Sequence, residues 1–391
     1  MAPAAVAVAA LSDDLLREVF LLLPTPADLA RASLACRPFL RAVRNAAFLR
    51  RFRRLHGASS CPILLGCLVH HPRHPDQPAP LLVPYSSSST AGARAGGVRD
   101  ADFSLSFLPD GGWLGGGGAA WQFLDCRNGR VLLRNRGSQE LAVADPLARS
   151  CVSLPPPPAE RPVGYGLVAD DGDSSSFRVF CISQDGDAGG GVSGTRALVI
   201  SSGELSWADV AVLPRRPNLA GSRAMQANGS LYWTLEGGAS MVALSTATME
   251  FSVLDLPRPL RQLPFDVVEK GEDDGNGPLY LLTMRGFCVE VWAGAEDGAG
   301  AMAWTPVEKS VRFHKAMAMM HDSVELYHHG LDVIGVVAGV LFLRQWNCLL
   351  SIDLETMKLR RLSDEDCSSA LIYPYAMPWP PSFLNPTAHG A

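Results

Sequence analysis

Three stretches of this chain follow one plan, and that repetition narrows the fold more than any other feature. "NGRVLLRNRGSQELAVADPLARSCVSLP", "NGSLYWTLEGGASMVALSTATMEFSVLDLP" and "AGVLFLRQWNCLLSIDLETMKLRRL" each run glycine, aliphatic strand, turn, second strand, short polar turn, third strand. Their glycines are Gly129, Gly229 and Gly339. Their polar-turn residues Asp145, Ser245 and Asp353 each stand nine residues before a leucine: Leu154, Leu254 and Leu362. Between them lie two units of a second type, "FRVFCISQDGDAGGGVSGTRALVISSGELSWADV" and "GPLYLLTMRGFCVEVWAGAEDGAGAMAWTPV". Each has a strand, a glycine-rich hairpin, a second strand, and a tryptophan (Trp207 or Trp304) that starts a third. Like units are 100 and 110 residues apart. The underlying period is therefore roughly 50 residues, the length of a kelch-type propeller blade.

The remainder after residue 61 keeps this habit, with short β-rich runs punctuated by Gly, Pro, Asp and Ser clusters. Residues 61–125 supply one more blade, interrupted by "SSSSTAGARAGG" and "GGWLGGGG", for about six in all. A propeller leaves only short, protected edges provided its last blade is closed by a strand from the other end of the domain. Cys61–Leu68 and the segment near Ser368–Tyr373 are expected to meet in that closure. A pair of β-sandwiches is the structural alternative.

The first fifty residues read differently. "LARASLACRPFLRAVRNAAFLRRFRR" (29–54) holds eight arginines and no acid. It is either a nucleic-acid arm or the wet back of helices whose other side matters. A net charge of −5 supplies no global field toward a polyanion, so only this local run could act so. Ser12 is placed to cap a helix starting near Asp13, with Leu15, Leu16, Val19, Phe20, Leu22 and Leu23 over a wide apolar sector, and Pro24 ends it. Thr25, Pro26 and Asp28 open a second helix with a capping-box arrangement, and Pro38 opens a third. Three short helices rarely close a sufficient core alone. Their apolar face therefore awaits either another protein or the rest of this chain.

The segment "LSDDLLREVFLLLPTPADLARASLACRPFLRAVRNAAFLRRF" resembles the F-box, with Ser12 where a proline is usual and Phe39 at the tryptophan position. The resemblance implies docking on a Skp-family adaptor, and through it a cullin, by apolar anchors: Leu11, Leu15, Leu16, Val19, Leu29, Leu34, Cys36 and Phe39. "LAVADPLARSCVSLPP" and "NGSLYW...FSVLDLP" resemble the repeats of plant F-box-associated propeller domains, with Asp145 replacing the usual asparagine. The expected fold class is thus α plus all-β, a small three-helix F-box (11–54) followed by a kelch-like propeller of about six blades (61–380), with residues 1–10 a flexible leader. Such a protein is a non-catalytic substrate receptor of a Skp-cullin-F-box ubiquitin ligase that presents an unidentified target protein. The rival is a propeller hydrolase or isomerase with a helical appendage.

No other motif competes. Nine cysteines include no C-x-x-C pair and suit a reducing compartment, the nucleus or cytoplasm. The start "MAPAAVAVAALSDD" lacks the positive n-region of a signal peptide, and no run of ~18 apolar residues exists to cross a membrane. "HHPRHP" (His70, His71, His74) has poor metal geometry, as do His328 and His329, and the acidic "EKGEDDGNG" (269–277) lacks spaced calcium ligands. No cofactor, metal or nucleic acid is expected, and most of the tryptophans should be core.

Overall fold

The structure, a computed structural model, describes residues 11–56, 63–71, 79–85, 101–109, 121–169, 176–184, 194–214, 218–219, 223–261, 263–268, 278–296, 302–307, 311–312, 331–363, 366–377 and 384. The leader, His74, His328, His329, the acidic loop 269–277 and the segment 110–120 lie outside them.

Local turn chemistry builds the blades. Asn128–Gly129, Asn228–Gly229 and Ala338–Gly339 all have positive φ at both residues, the type I′ hairpin geometry that matches strand twist. The polar-turn residues also act alike. Asp145 accepts from the amides of Leu147 and Ala148, Ser245 from that of Thr248, and Asp353 from that of Thr356. Four residues after each, Arg149, Met249 and Met357 adopt φ of 52°, 57° and 55°. The repeat thus reaches down to single backbone angles.

Six antiparallel sheets result among the described residues. Blade 1 is β3 (Trp121–Arg127), β4 (Arg130–Asn135), β5 (Leu141–Asp145) and β6 (Ser150–Leu154). Blade 2 is β7 (Pro162–Ala169), β8 (Phe177–Gln184), β9 (Thr195–Ser201) and β10 (Ala208–Leu213). Blade 3 is β11 (Met225–Ala227), β12 (Ser230–Thr234), β13 (Ser240–Ser245) and β14 (Phe251–Asp255). Blade 4 is β15 (Phe265–Val268), β16 (Leu279–Arg285), β17 (Cys288–Glu296) and β18 (Met302–Pro306), with β19 (Val311–Arg312) beside β17. Blade 5 is β20 (Leu331–Val337), β21 (Val340–Gln345), β22 (Cys348–Asp353) and β23 (Lys358–Ser363).

Blade 6 is composite. The C-terminal β24 (Leu371–Met377) pairs with β1 (Ile63–His70), which pairs with β2 (Leu81–Pro84). The closure expected from the two ends of the domain is present, with Leu68 opposite Tyr373. Tyr375 carries it into blade 1: its hydroxyl donates to the Gly129 carbonyl at 2.9 Å, and the Gly129 amide donates back to Ala376 at 2.6 Å. Trp207 and Trp304 stitch other seams, each indole N–H donating to the carbonyl of Pro155 or Asp255 at the end of the preceding blade.

Each blade begins one strand earlier than the repeat units suggest. The innermost strands β3, β7, β11, β15, β20 and β24 line the axis, and three of them carry a bulge, at Phe123/Asp125, Pro162/Gly164 and Val333/Gly335. Their polar residues, prolines and glycines blur the alternation that marks a strand.

The helical part comprises four helices, α1 (Asp13–Phe20), α2 (Pro26–Leu34), α3 (Arg37–Val43) and α4 (Ala46–His56), rather than three. Ser12 and Thr25 cap the first two as their side chains require, and Pro26 opens α2. The "RRFRR" run is no tail. It belongs to α4, whose Phe48, Leu49 and Phe52 are buried. Leu16, Phe20, Leu29 and Phe52 share one core with Ile63, Leu65, Tyr375 and Met377 of blade 6, and Arg31 donates to the Tyr85 carbonyl at 2.9 Å. One face of the helices is thus docked on the same chain.

Candidate functional site

Two surfaces stand out, one on the helices and one at the propeller mouth. On α1 the apolar sector divides into two stripes. Leu16 and Phe20 turn inward, while Leu15, Val19 and Leu22 are 57%, 51% and 82% exposed at helical spacing, with Leu11 exposed before them. Leu16, Leu29 and Leu34 are therefore core residues and not surface anchors, because they are buried in one core shared by the helices and blade 6. Cys36 and Phe39 are half-buried, Phe39 edge-on to Phe20 with ring centres 5.1 Å apart. Leu22 was not among the expected anchors. Its spacing from Leu15 was the available signal.

Three of the eight arginines in the run are answered by carboxylates within the module. Arg41 pairs with Asp13 at 2.9 Å, Arg51 with Glu18 at 2.5 Å and Arg31 with Asp28 at 3.1 Å. The Arg41 hydrogen bond holds the Asp13 carboxyl below its ordinary range, and Arg51 does the same for Glu18. The exposed Arg41–Asp13 and Arg51–Glu18 pairs orient α3 and α4 against α1 more than they stabilise the fold, while Arg31–Asp28 is an i,i+3 pair within α2.

At the other surface, the starts of the inner strands and the ends of the second strands enclose a funnel of about 970 Å³. Its apolar wall includes Tyr165, Phe265, Ile334 and Tyr373. Two buried aspartates, Asp266 in the funnel wall and Asp125 on the inner strand of blade 1, stitch adjacent blades. Asp125 accepts from the Leu167 amide at 3.0 Å, and Asp266 from the Val336 amide at 2.7 Å. Two arginines span alternate blades: Arg127 donates to the Ala224 carbonyl at 2.9 Å and Arg223 to the Ile334 carbonyl at 2.7 Å. Arg127 also lies 3.5 Å from Asp125. Burial pushes the Asp266 carboxyl up, and the nearby cations Arg223 and Arg127 hold it down in part. Gly335 is small for a reason. A Cβ there would come within 2.7 Å of the Arg223 guanidinium.

The funnel's carboxylates are both engaged, Asp266 as described and Asp332 with Arg344 at 3.0 Å. Burial disfavours the reactive thiolate at Cys126 and Cys181, whose thiols desolvation pushes up to about 12. Among the described residues no group of histidine, cysteine and carboxylate side chains is arranged to hold a metal, and no helix is long and apolar enough to cross a membrane. His70 and His71 are buried beside blade 6. Of the six described tryptophans only Trp121 and Trp233 are buried, Trp207, Trp292 and Trp304 are half-buried and Trp346 is 53% exposed at the β21–β22 turn, so most are not core, contrary to expectation.

These features define a six-bladed β-propeller carrying an N-terminal helical module. Residues 122–383 match the family described as "F-box protein AT5G49610-like, beta-propeller", and the chain belongs to that family. This agrees with the resemblance to plant F-box proteins that carry a propeller. No curated protein matches the chain. Among solved structures, a nidogen/laminin complex is similar at 13% identity and TM-score 0.36, over 65% of this chain and 84% of that one. YCF48 from Cyanidioschyzon merolae is similar at 9% identity and TM-score 0.35, over 62% of this chain and 71% of that one. YCF48 bound to D1 peptide follows at 10% and 0.34, over 62% and 67%. Likeness at this level says nothing of what this chain binds.

Proposed function

We propose that this protein is the substrate-recognition subunit of a Skp-cullin-F-box ubiquitin ligase, its helices docking on a Skp-family adaptor and its propeller holding a target protein. The observation that carries this is the exposed stripe Leu15, Val19 and Leu22 on a module whose other face is already buried. An apolar stripe of this kind is what a partner helix covers. Leu15, Val19 and Leu22 together expose nearly two whole side chains, so covering them contributes about 3–5 kcal/mol. Association costs about 4–15 kcal/mol, so docking also draws on Leu11 and the half-buried Leu23, Cys36, Phe39 and Leu40.

The protein acts by proximity: it raises the local concentration of the target near the conjugating enzyme, with no acid, base or nucleophile of its own. Engagement of both funnel carboxylates in structural bonds favours this over a propeller hydrolase or isomerase. The setting is the nucleus or cytoplasm, where free thiols stay reduced. Co-purification with the Skp-family adaptor tests the proposal. Wild type is retained, and Leu15→Asp plus Val19→Asp, which leaves the core untouched, is not. A wild type that never binds, or a double variant that still does, overturns it.

A further inference from the structure

Blades 1 and 5 present an arginine at the same place, one residue before the end of the second strand and across from the inner strand. Arg344 faces Asp332, which neutralises it at 3.0 Å, and its other nitrogen donates to the Ala370 carbonyl at 3.1 Å. Arg134 faces Gln122, a neutral amide, and donates to its carbonyl oxygen at 2.9 Å. Among the described residues, blade 5 thus pairs its arginine with a carboxylate and blade 1 does not. Arg134 is positioned by its bond to Gln122 and by Tyr165, whose ring centre lies 5.8 Å from its guanidinium, while its buried Nε has no hydrogen-bond acceptor among the described residues. Glu236, exposed on the blade 3 hairpin, lies two blades away along the ring.

The same mouth carries exposed apolar surface. Trp346 is 53% exposed at the tip of the β21–β22 turn with φ of 51°, a conformation that bulky residues rarely adopt. Leu371 is 38% exposed at the start of β24, on blade 6 between the blades that carry Arg134 and Trp346. Exposed tryptophan and a preorganised arginine are the side chains that dominate binding energy at protein interfaces.

We propose that this sector of the mouth binds an acidic peptide segment of the target, laid over blade 6 with an anionic side chain on Arg134 and an apolar neighbour against Leu371 and Trp346. The proposal deepens the reading of the propeller as the target-holding part and rests on it. An anionic acceptor supplies Arg134 with the charge partner that Gln122 withholds, through a charge-assisted hydrogen bond. The anion is a carboxylate or a phosphate.

The decisive variant is Gln122→Glu, nearly isosteric, which recreates on blade 1 the internal pair of blade 5. A random dodecapeptide library is panned on the immobilised full chain, and the selected peptides are measured by fluorescence polarisation. Selected peptides are expected to be rich in Asp and Glu. Gln122→Glu, Arg134→Gln and Trp346→Ala are each expected to weaken them about ten-fold or more, with unchanged circular dichroism. Replacing the acidic residues by phosphoserine distinguishes the sources: tighter binding assigns phosphate, equal or weaker binding assigns carboxylate. Peptides without acidic enrichment, or undiminished binding by Gln122→Glu, overturn the proposal. Acidic-peptide binding by a chain that never captures the adaptor sinks the ligase reading and leaves this site standing; the converse removes the site alone.

Discussion

Replacing Tyr375 by phenylalanine deletes one oxygen and isolates the bond that closes the ring. Tyr375 is fully buried, and burial holds its phenol well above the usual range, so it is a neutral donor. Its partner, the carbonyl of Gly129, is buried in a type I′ turn. The variant keeps the edge-on contact with Phe103, ring centres 5.3 Å apart, so packing hardly changes. What is lost is a 2.9 Å hydrogen bond, with a buried acceptor left unpaired, at a cost of about 1–3 kcal/mol. Tyr373→Phe is the internal control. Its hydroxyl reaches the Phe123 carbonyl only at 3.4 Å, a geometry expected to contribute under about 0.5 kcal/mol. Urea unfolding followed by tryptophan fluorescence reads both, with an unchanged slope showing that the shift is one of stability. Equal midpoints for the two variants would refute the assignment of ring closure to Tyr375.

Two further outcomes follow from the same packing. Leu16→Ala is expected to cost about 2–5 kcal/mol of stability in urea unfolding, whereas Leu15→Ala stays within about 0.5 kcal/mol, since only the first opens a cavity. The buried Asp266 binds its proton more tightly in the folded state than in the unfolded chain, whose value is near 3.8. Its contribution is fully present below that pH and is lost as pH rises through the folded value. The stability difference between wild type and Asp266→Asn therefore narrows with rising pH and then levels; a difference independent of pH would contradict the raised carboxyl.

Features set within about five residues of the chain were legible in advance. The hairpin glycines, the turn-capping Asp145, Ser245 and Asp353 and the helix caps Ser12 and Thr25 occur where the sequence places them, because each meets a local backbone demand. The inner strands were not legible. Their bulges and buried polar residues answer to other blades: Asp125 to Leu167, Asp266 to Val336. Gln122 looked equally ordinary until its register against Arg134 was set beside that of Asp332 against Arg344.

The strand-and-turn repeat, its hairpin glycines and polar turns, and the starts of the first three helices were thus legible in the sequence alone, through φ preferences and side-chain-to-backbone bonds between near neighbours. Tertiary structure alone decided which leucines of α1 remain exposed, which bonds lock the closing blade to blade 1, and which mouth arginine is paired with a carboxylate. Those outcomes depend on partners far apart in the chain: Tyr375 and Gly129 are 246 residues apart, Arg223 and Ile334 111. No local pattern encodes which of two apolar stripes on one helix the rest of the fold will bury.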